Sequence, residues 1–374
     1  MKKALVILLT LALAGGVFAQ TVSVGGFWEG GVAVLNNTGW DDPEFAAVAP
    51  DAWVDGVRGE LRIAGTNADA NAGFTFWLRA SGNPVGPGMF YRQAFGWVRL
   101  FDNLVELRGG RIHSDLLAAQ DVLGVHWVTN YHGLVAYINA TDTIRIGLGA
   151  YSPNTLAQGA TWEDGGLSLW GGLGINFGLG EFRTTWRINH AQTGDNSTDG
   201  IFSLRLLAID NLPINASVRL MNVNDFGDAG RIDVQGQVGI NLVQDFAITA
   251  AAAFSQSQND AHDDPFMAFG GWIVYTGLGN VVPRLDLFFV SGGMYDYRYS
   301  FNTPGQYLDY PLATFNGDQS YFSIRPQVQF RATANAWWEI GAIFNIELGD
   351  VGAAGGTDDD PFTFGFFTGV RVLF

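Results

Sequence analysis

Residues 321–331 read Tyr-Phe-Ser-Ile-Arg-Pro-Gln-Val-Gln-Phe-Arg, and polar side chains alternate with apolar ones along the stretch. The odd positions carry tyrosine, serine, arginine and glutamine, whereas the even positions carry phenylalanine, isoleucine, proline and valine. A period of two is the signature of a β-strand, because successive side chains of a strand point to opposite faces of a sheet. The stretch therefore predicts a strand with one apolar face and one polar face.

The same alternation recurs in residues 57–63, 181–189 and 231–240, where arginine, glutamate, glutamine and asparagine face away from the apolar side chains. In a soluble β-sandwich the apolar face would form the core and the charged face would be wet. In a membrane barrel the apolar face would meet lipid and the charged face would line the lumen. Periodicity alone leaves both alternatives open.

The N-terminus has the features of a secretory signal peptide. Lys2 and Lys3 precede an uncharged apolar run, and Ala19 supplies the small residue before the predicted cut. We expect a signal peptide over residues 1–19 and a mature chain over residues 20–374. The alternative is an uncleaved anchor, but the apolar run is short for a spanning helix.

Composition limits the classes of partner and cofactor. Both lysines lie in the predicted signal peptide, so 18 arginines and 36 acidic residues remain in the mature chain. This acidic excess argues against nucleic acid as a partner, because phosphate binding needs clustered basic side chains. The chain has no cysteine, and its 5 histidines show no spacing of metal ligands. Aspartates 263–264 and 358–360 could hold a hard cation, but solvated loop acids are the favoured interpretation, so we expect neither metal nor cofactor.

Helical membrane spans are disfavoured. A long uncharged stretch of the mature chain, 265–283, contains four glycines and has proline at both ends. The remaining way to cross a bilayer is a closed barrel, in which every backbone group bonds to a neighbouring strand.

The pattern of connections supports the barrel. Short connections alternate with longer, acidic ones that contain glycine and proline, as short periplasmic turns alternate with long extracellular loops in outer-membrane barrels. The count is 18 strands, and 16 remain if 131–139 and 142–152 merge or drop out. The predicted strands are 21–36, 53–66, 72–82, 88–101, 103–112, 131–139, 142–152, 165–178, 181–192, 199–210, 212–223, 230–241, 245–256, 265–277, 282–300, 319–331, 335–348 and 361–374.

The C-terminus carries a resemblance to a known family. Apolar residues share one face of the last predicted strand, and the chain ends on phenylalanine, with Thr368 as the weak position. The residues on that face are Phe362, Phe364, Phe366, Val370, Val372 and Phe374. This pattern resembles the C-terminal signal that the barrel-assembly machinery reads in bacterial outer-membrane β-barrels. The chain thus resembles the porin-like barrels, which implies an all-β transmembrane barrel, a location in the bacterial outer membrane among its lipids, and a homotrimer.

Size narrows the expected function. Barrels of 16 to 18 strands leave an aqueous channel, and larger transporters need a plug domain, for which the N-terminus leaves no room. We expect a passive porin for small hydrophilic solutes or ions, and no enzyme. An adhesin or purely structural barrel is the main alternative. A barrel enzyme with a site near His190, Asp195 and Ser197 is a weaker one.

The polar faces of the predicted strands supply candidate pore-lining residues. An arginine that faced the middle of the lipid would destabilise the barrel by roughly 2–4 kcal/mol, so the charged residues on the polar faces should face water. They are Arg58, Glu60, Arg62, Arg108, Arg183, Arg187, Arg205, Arg219, Arg325 and Arg331. Alternatively, each arginine pairs with a nearby acid, such as Glu60, Glu106 or Asp233, and only stiffens the wall.

Residues 113–130 form the third long connection and contain a short segment that Ser114 or Asp115 could cap as a helix. This arrangement resembles the third loop of general porins, which folds inward and narrows the channel. The resemblance implies that Asp115 and Asp121 oppose wall arginines such as Arg58, Arg62 and Arg108. An ordinary surface loop is the alternative.

Overall fold

The computed structural model consists of one antiparallel sheet that closes on itself. It describes residues 21–36, 44–49, 54–55, 58–83, 86–112, 131–152, 168–189, 197–209, 211–241, 243–257, 265–291, 320–348 and 362–374. The strands in this part are β1 (Thr21–Asn36), β2 (Glu44–Ala49), β3 (Val54–Asp55), β4 (Arg58–Thr66), β5 (Ala72–Asn83), β6 (Gly86–Leu100), β7 (Val105–Ile112), β8 (Tyr131–Asn139), β9 (Ile144–Ser152), β10 (Ser168–Phe177), β11 (Gly180–Asn189), β12 (Ser197–Leu206), β13 (Ile214–Met221), β14 (Arg231–Ile240), β15 (Phe246–Ser257), β16 (Phe266–Tyr275), β17 (Val281–Ser291), β18 (Ser320–Thr333), β19 (Ala336–Leu348) and β20 (Phe362–Leu373).

Helical structure in these ranges is limited to the connection between β13 and β14. It comprises a 3-10 turn, Val223–Asp225, and α1, Phe226–Ala229. No helix within the described ranges is long and apolar enough to cross a membrane.

Eighteen of the strands, all except β2 and β3, form the wall of the barrel. Each wall strand pairs antiparallel with the next one in the chain, and β1 pairs with both β4 and β20. At the closing seam, Gly26 and Phe374 exchange backbone hydrogen bonds of 2.8 and 3.1 Å. Every wall strand thus has a neighbour on each side, which satisfies the backbone without water. The fold is a closed 18-stranded antiparallel barrel, and the described residues contain no plug domain.

The predicted strand count is confirmed, and the sixteen-strand alternative is wrong. β8 and β9 are separate strands that pair antiparallel from His132↔Ser152 to Asn139↔Arg145. The other predicted strands agree with the observed ones to within a few residues at most ends, where both ends are described.

The first predicted loop, 37–52, is partly wrong. It contains β2, which pairs with the second half of β1 from Gly31↔Val48 to Leu35↔Glu44, and β2 pairs in turn with β3. The strand predicted over 53–66 is correspondingly divided into β3 and β4. β1 extends beyond the end of β4, so its outer backbone groups need another partner, and β2 supplies it. The sequence Glu-Phe-Ala-Ala-Val-Ala lacks a polar face and gave no strand signal.

Both predicted types of connection can be placed on the barrel. Eight short turns, within residues 67–71, 101–104, 140–143, 178–179, 207–213, 241–245, 276–280 and 334–335, join consecutive wall strands at one end. β1 begins and β20 ends at this same end. By the rule for outer-membrane barrels, the end with the short turns is the periplasmic one and the other end is extracellular.

The two faces of the wall differ in chemistry. Large apolar side chains occupy alternate positions and are at least half exposed in cases such as Leu134, Phe269 and Phe366. The positions between them hold charged and polar side chains that are mostly buried, because the interior of a closed barrel is crowded. The polar face is therefore the inward one, and the exposed apolar face is suited to lipid.

The sequence also predicts a group of aromatic residues near the strand ends, where amphipathic rings favour the lipid–water boundary. The group consists of Trp28, Trp53, Phe90, Tyr91, Phe101, Tyr151, Phe177, Phe182, Tyr299, Trp337 and Trp338. Trp28, Phe101, Phe177 and Trp338 are exposed near the ends or on the outward face, which suits that role. Trp337 was assigned to the same group, but it pairs across strands with Arg371 and shares its inward face. This assignment is wrong, because adjacent residues of a strand point to opposite faces.

We expect Leu148→Arg to destabilise the barrel by roughly 2–4 kcal/mol, the cost of an arginine in the middle of a lipid-facing strand. Leu148 is the central residue of β9 and is 53% exposed on the outward face. Unfolding by urea in lipid vesicles measures the loss. Gln237→Arg, at an inward position of β14, is the control and should cost much less. Equal losses in the two variants would contradict the assignment of the faces.

Candidate functional site on the inner wall

The predicted pore-lining residues all occupy inward register positions. Arg58 lies opposite Glu29, Glu60 lies opposite Arg79, and the same parity continues strand by strand around the barrel. The side chain of Arg58 lies outside the described part, so its backbone register alone places it. The remaining members are Glu60, Arg62, Arg108, Arg183, Arg187, Arg205, Arg219, Arg325 and Arg331. Their role in lining an open pore stays a prediction.

Sequence reasoning missed further inward charges. They are the arginines Arg79, Arg99, Arg145, Arg284 and Arg371 and the acids Glu29, Asp199, Asp286 and Glu339. Glu181, Arg231 and Asp233 had been placed on polar strand faces but not among the pore-lining residues, and Glu106 had been considered only as a partner. The signal was present, since Arg145 lies between Ile144 and Ile146, and Arg371 lies between Val370 and Val372. A strict period-two rule applied to every strand would have found them.

The inner wall carries a basic excess. Among the inward side chains that the structure describes, fourteen are arginine and eight are aspartate or glutamate. The outward positions of the described wall strands carry no acid. The wall is therefore positive inside a chain whose total formal charge is −16.

The densest group of charges runs along the periplasmic halves of β6 to β12. We call Arg99, Arg108, Arg145, Arg183 and Arg205, with Glu106 and Glu181, the arginine arc. Glu106 lies 2.8 Å from Arg99, 2.6 Å from Arg108 and 3.6 Å from Arg145. Glu181 lies 2.6 Å from Arg183 and 2.7 Å from Arg205. Five guanidinium groups share two carboxylates, which leaves three positive charges in excess.

Register makes the arc continuous. Arg145 and Arg183 both lie opposite Gly174, one from each neighbouring strand, so no side chain separates their positions on β10. The side chains of both are about one-third exposed, so water reaches them. Such groups can attract a passing anion while their own acids hold them in place.

Aromatic rings hold several inward arginines. The guanidinium carbon of Arg145 lies 4.0 Å from the ring centroid of Tyr137, and that of Arg108 lies 4.9 Å from the same ring. Arg62 lies 4.3 Å from the Trp77 ring, and Arg99 lies 4.6 Å from the Trp97 ring. Cation–π contact at these distances orients a cation without neutralising it.

Above the arc lies an inward apolar cluster. Its members are Phe95, Ile112, Val135, Tyr137, Trp170 and Ile201, which are all buried, with Trp97 packed against them. Gly149 makes room for it, because a Cβ there would overlap the Trp170 ring. This part of the inner face is therefore packed and not wet.

Elsewhere on the wall, single acids bind several cations. Glu60 lies 2.9 Å from both Arg62 and Arg79. Asp233 lies 2.5 Å from Arg219 and 2.8 Å from Arg231. Arg187 and Asp199 form a further pair at 2.5 Å. Sharing one carboxylate between two arginines keeps the wall ordered and leaves it positive.

A third such group lies on β17 and β18. Asp286 lies 2.5 Å from Arg284, accepts a hydrogen bond of 3.2 Å from Gln327, and lies opposite Arg325 across the strands. On the next strand pair, Gln329 donates a hydrogen bond of 3.1 Å to Glu339. This group is more deeply buried than the arc.

Several predicted features lie outside the described residues. They are the signal peptide, the connection 113–130 with Asp115 and Asp121, the aspartates at 263–264 and 358–360, and two members of the weak enzyme alternative, His190 and Asp195. Within the described ranges, no three histidine, aspartate or glutamate side chains cluster as metal ligands.

The predicted assembly signal lies on the outward face of β20. Phe366, Val370, Val372 and Phe374 are between about one-third and two-thirds exposed there. Phe364 lies on the same face and contacts Phe366 at a ring-centroid distance of 5.6 Å. Recognition of this face by the assembly machinery stays a prediction.

The comparisons with known proteins identify the fold. No family model and no curated protein matches the sequence. The outer membrane protein OpdK from Pseudomonas aeruginosa superposes with a TM-score of 0.58 at 8% identity, covering 96% of this chain and 99% of that one. A BenF-like porin from Pseudomonas fluorescens Pf-5 gives 0.58 at 7%, covering 95% and 99%. An anion-selective porin from Comamonas acidovorans gives 0.51 at 13%, also covering 95% and 99%. This chain has the fold of bacterial outer-membrane porins, as the resemblance predicted.

Proposed function

We propose that this chain is a passive channel of the bacterial outer membrane for small hydrophilic solutes, and that it favours anions. The observation that carries the proposal is the closed 18-stranded barrel, in which the described inward side chains include fourteen arginines against eight acids. Barrels of this size enclose an aqueous channel when their interior is not filled. The exposed apolar outer face supports placement in a bilayer.

The preference for anions follows because the described inward arginines outnumber the described inward carboxylates. Every inward acid with a described ion pair binds arginine, so the excess charge is positive and fixed to the wall. A low-dielectric wall focuses the field of such charges into the lumen, which raises the local concentration of anions. The anion-selective porin from Comamonas acidovorans shares the fold only, so the proposal rests on the charges of this chain.

Recording from the purified protein in a planar bilayer tests the proposal. We expect discrete steps of fixed conductance, and a reversal potential under a salt gradient whose sign reports anion preference. A reversal potential of the opposite sign would contradict the preference, and a correctly folded barrel that never conducts would contradict the channel.

A structural barrel or adhesin is the second candidate. The observation that favours it is the deep burial of inward polar side chains, such as Glu29, Asp286 and Glu339, which suggests a narrow lumen. Absence of conductance from the folded barrel would favour this candidate.

Two finer features are part of the proposal. Asp115 and Asp121 would narrow the channel from the connection 113–130, and three copies would assemble in the membrane after insertion by the assembly machinery. The same recording on Asp115→Ala plus Asp121→Ala tests the first feature, since an unchanged conductance and ion preference would contradict it.

A further inference from the structure

The outward face of the described wall strands is mostly apolar, with a few uncharged polar residues such as Gln256 and Thr368. At the outward positions of the described wall strands, Arg111 is the single charged side chain. Its outward orientation follows from its neighbour Ile112, which belongs to the inward apolar cluster. All other described arginine side chains of the wall face inward, so this position does not follow the pattern.

A histidine accompanies this arginine. His132 lies directly opposite Arg111 across β7 and β8. Its Nδ1 atom is buried and has no hydrogen-bond partner. An arginine and a histidine, which can both donate hydrogen bonds, thus adjoin on the outer surface.

The pair lies at the extracellular end of the wall. Arg111 is the last but one residue of β7, and His132 is the second residue of β8. At this depth an arginine on the lipid face costs little, about 0–1 kcal/mol, because its guanidinium reaches the headgroup layer. An arginine is therefore tolerated at this boundary position, whereas the same side chain a few residues closer to the middle of the bilayer would destabilise the barrel.

The surface below the pair is suited to acyl chains. Leu134 and Leu148 are 60% and 53% exposed on the same face of β8 and β9, next to each other in the register Leu134↔Ala150 and Ala136↔Leu148. Gly109 lies opposite Leu134 and adds no side chain of its own. One arginine with a neighbouring histidine donor, above an apolar strip, matches a lipid with an anionic headgroup.

We infer that Arg111 and His132 bind the phosphate of a phosphorylated lipid in the outer leaflet, whose chains lie along Leu134 and Leu148. A guanidinium binds phosphate through two parallel hydrogen bonds, and basic sites at the membrane boundary bind anionic headgroups. A second copy is a poorer occupant, because the outward positions of the described strands offer no carboxylate to meet Arg111. The inference rests on the proposed placement in the outer membrane but not on an open channel.

The test measures lipid retained by the full-length barrel in detergent, using native mass spectrometry. The probes are dioleoyl phosphatidic acid and dioleoylglycerol, which share their acyl chains and differ in the phosphate. We expect the wild type to prefer phosphatidic acid. Arg111→Gln plus His132→Gln should reduce the apparent affinity for phosphatidic acid by about fivefold, the effect of one cation near an anionic lipid surface.

Arg331→Gln is the matched control, because it removes one exposed arginine from the inward face and should leave lipid retention unchanged. Arg111→Lys should retain part of the preference, because it keeps the charge and loses the two-pronged geometry.

Equal retention of phosphatidic acid by the wild type and the double variant would overturn the inference. A double variant that dissociates into smaller oligomers without losing lipid would also overturn it, and would identify an interface between copies. Conductance measured on the same variants separates this outcome from failure of the channel proposal.

Discussion

Arg145→Glu plus Arg183→Glu should reverse the ion preference of the channel from anions to cations. The wild-type arginine arc has five arginines and two glutamates, whereas the variant has three arginines and four glutamates, so an excess of three positive charges becomes an excess of one negative charge. These two arginines are about one-third exposed and therefore act directly on solutes in the lumen. The reversal potential under a salt gradient measures the effect, which should weaken at high ionic strength as the fixed charges are screened.

Two matched variants distinguish an effect of the net charge of the arc on ion preference from an effect of structural damage to the wall. Arg145→Gln plus Arg183→Gln should lower the preference for anions without reversing it, because the arc then keeps three arginines and two acids. Glu181→Gln should raise the preference, because it removes a carboxylate that two arginines share. These predictions assume that the arc, and not the summed charge of the inner wall, sets the ion preference, because its arginines are exposed to the lumen. An order of reversal potentials that does not follow the net charge of the arc would refute that assumption.

Most of the fold could be predicted from the sequence because the signal is local. In 181–189 and 321–331, the polarity of the side chains indicates which face of the strand they occupy. A shift of the strand register by one residue would turn the arginines toward the lipid. β2 could not be predicted in this way. Its pairing depends on β1 extending beyond the end of β4, which is a property of the tertiary arrangement and leaves no alternation in Glu44–Ala49.

The inner wall was predicted less completely, for two physical reasons. On β9 the inward face continues beyond Arg145 with Gly147 and Gly149, so only one polar side chain marks that face and the alternation is weak. The sharing of Glu106 and Glu181 among several arginines depends on cross-strand register, which connects residues up to 39 positions apart, as from Glu106 to Arg145. The outward Arg111 breaks the pattern on its own strand and could be recognised only after Ile112 was placed inward.

Asp286→Leu should be the most destabilising single substitution of a wall charge, with a loss of about 3–5 kcal/mol, the usual cost of breaking a buried ion pair. The carboxylate of Asp286 is fully buried and binds Arg284 through both oxygens, at 2.5 and 2.9 Å. Arg325 lies opposite it and is 2% exposed, so two guanidinium groups would remain in a crowded interior without this acid. Urea unfolding in lipid vesicles measures the loss.

The double variant Arg284→Met plus Asp286→Leu should recover a large part of that stability. Removing both charges of a buried pair eliminates the cost of desolvating the unpaired partner, so only the Arg325 guanidinium then remains without the acid. Asp286→Asn should fall between the two, because it keeps an oxygen to accept hydrogen bonds from Arg284 and Gln327 while losing the charge. If Asp286→Leu proves as stable as the wild type, water must reach these side chains, and the wall around β17 and β18 then faces an open lumen. If the double variant is as unstable as Asp286→Leu, the loss does not come from the Arg284 guanidinium, and packing or the Arg325 guanidinium accounts for it.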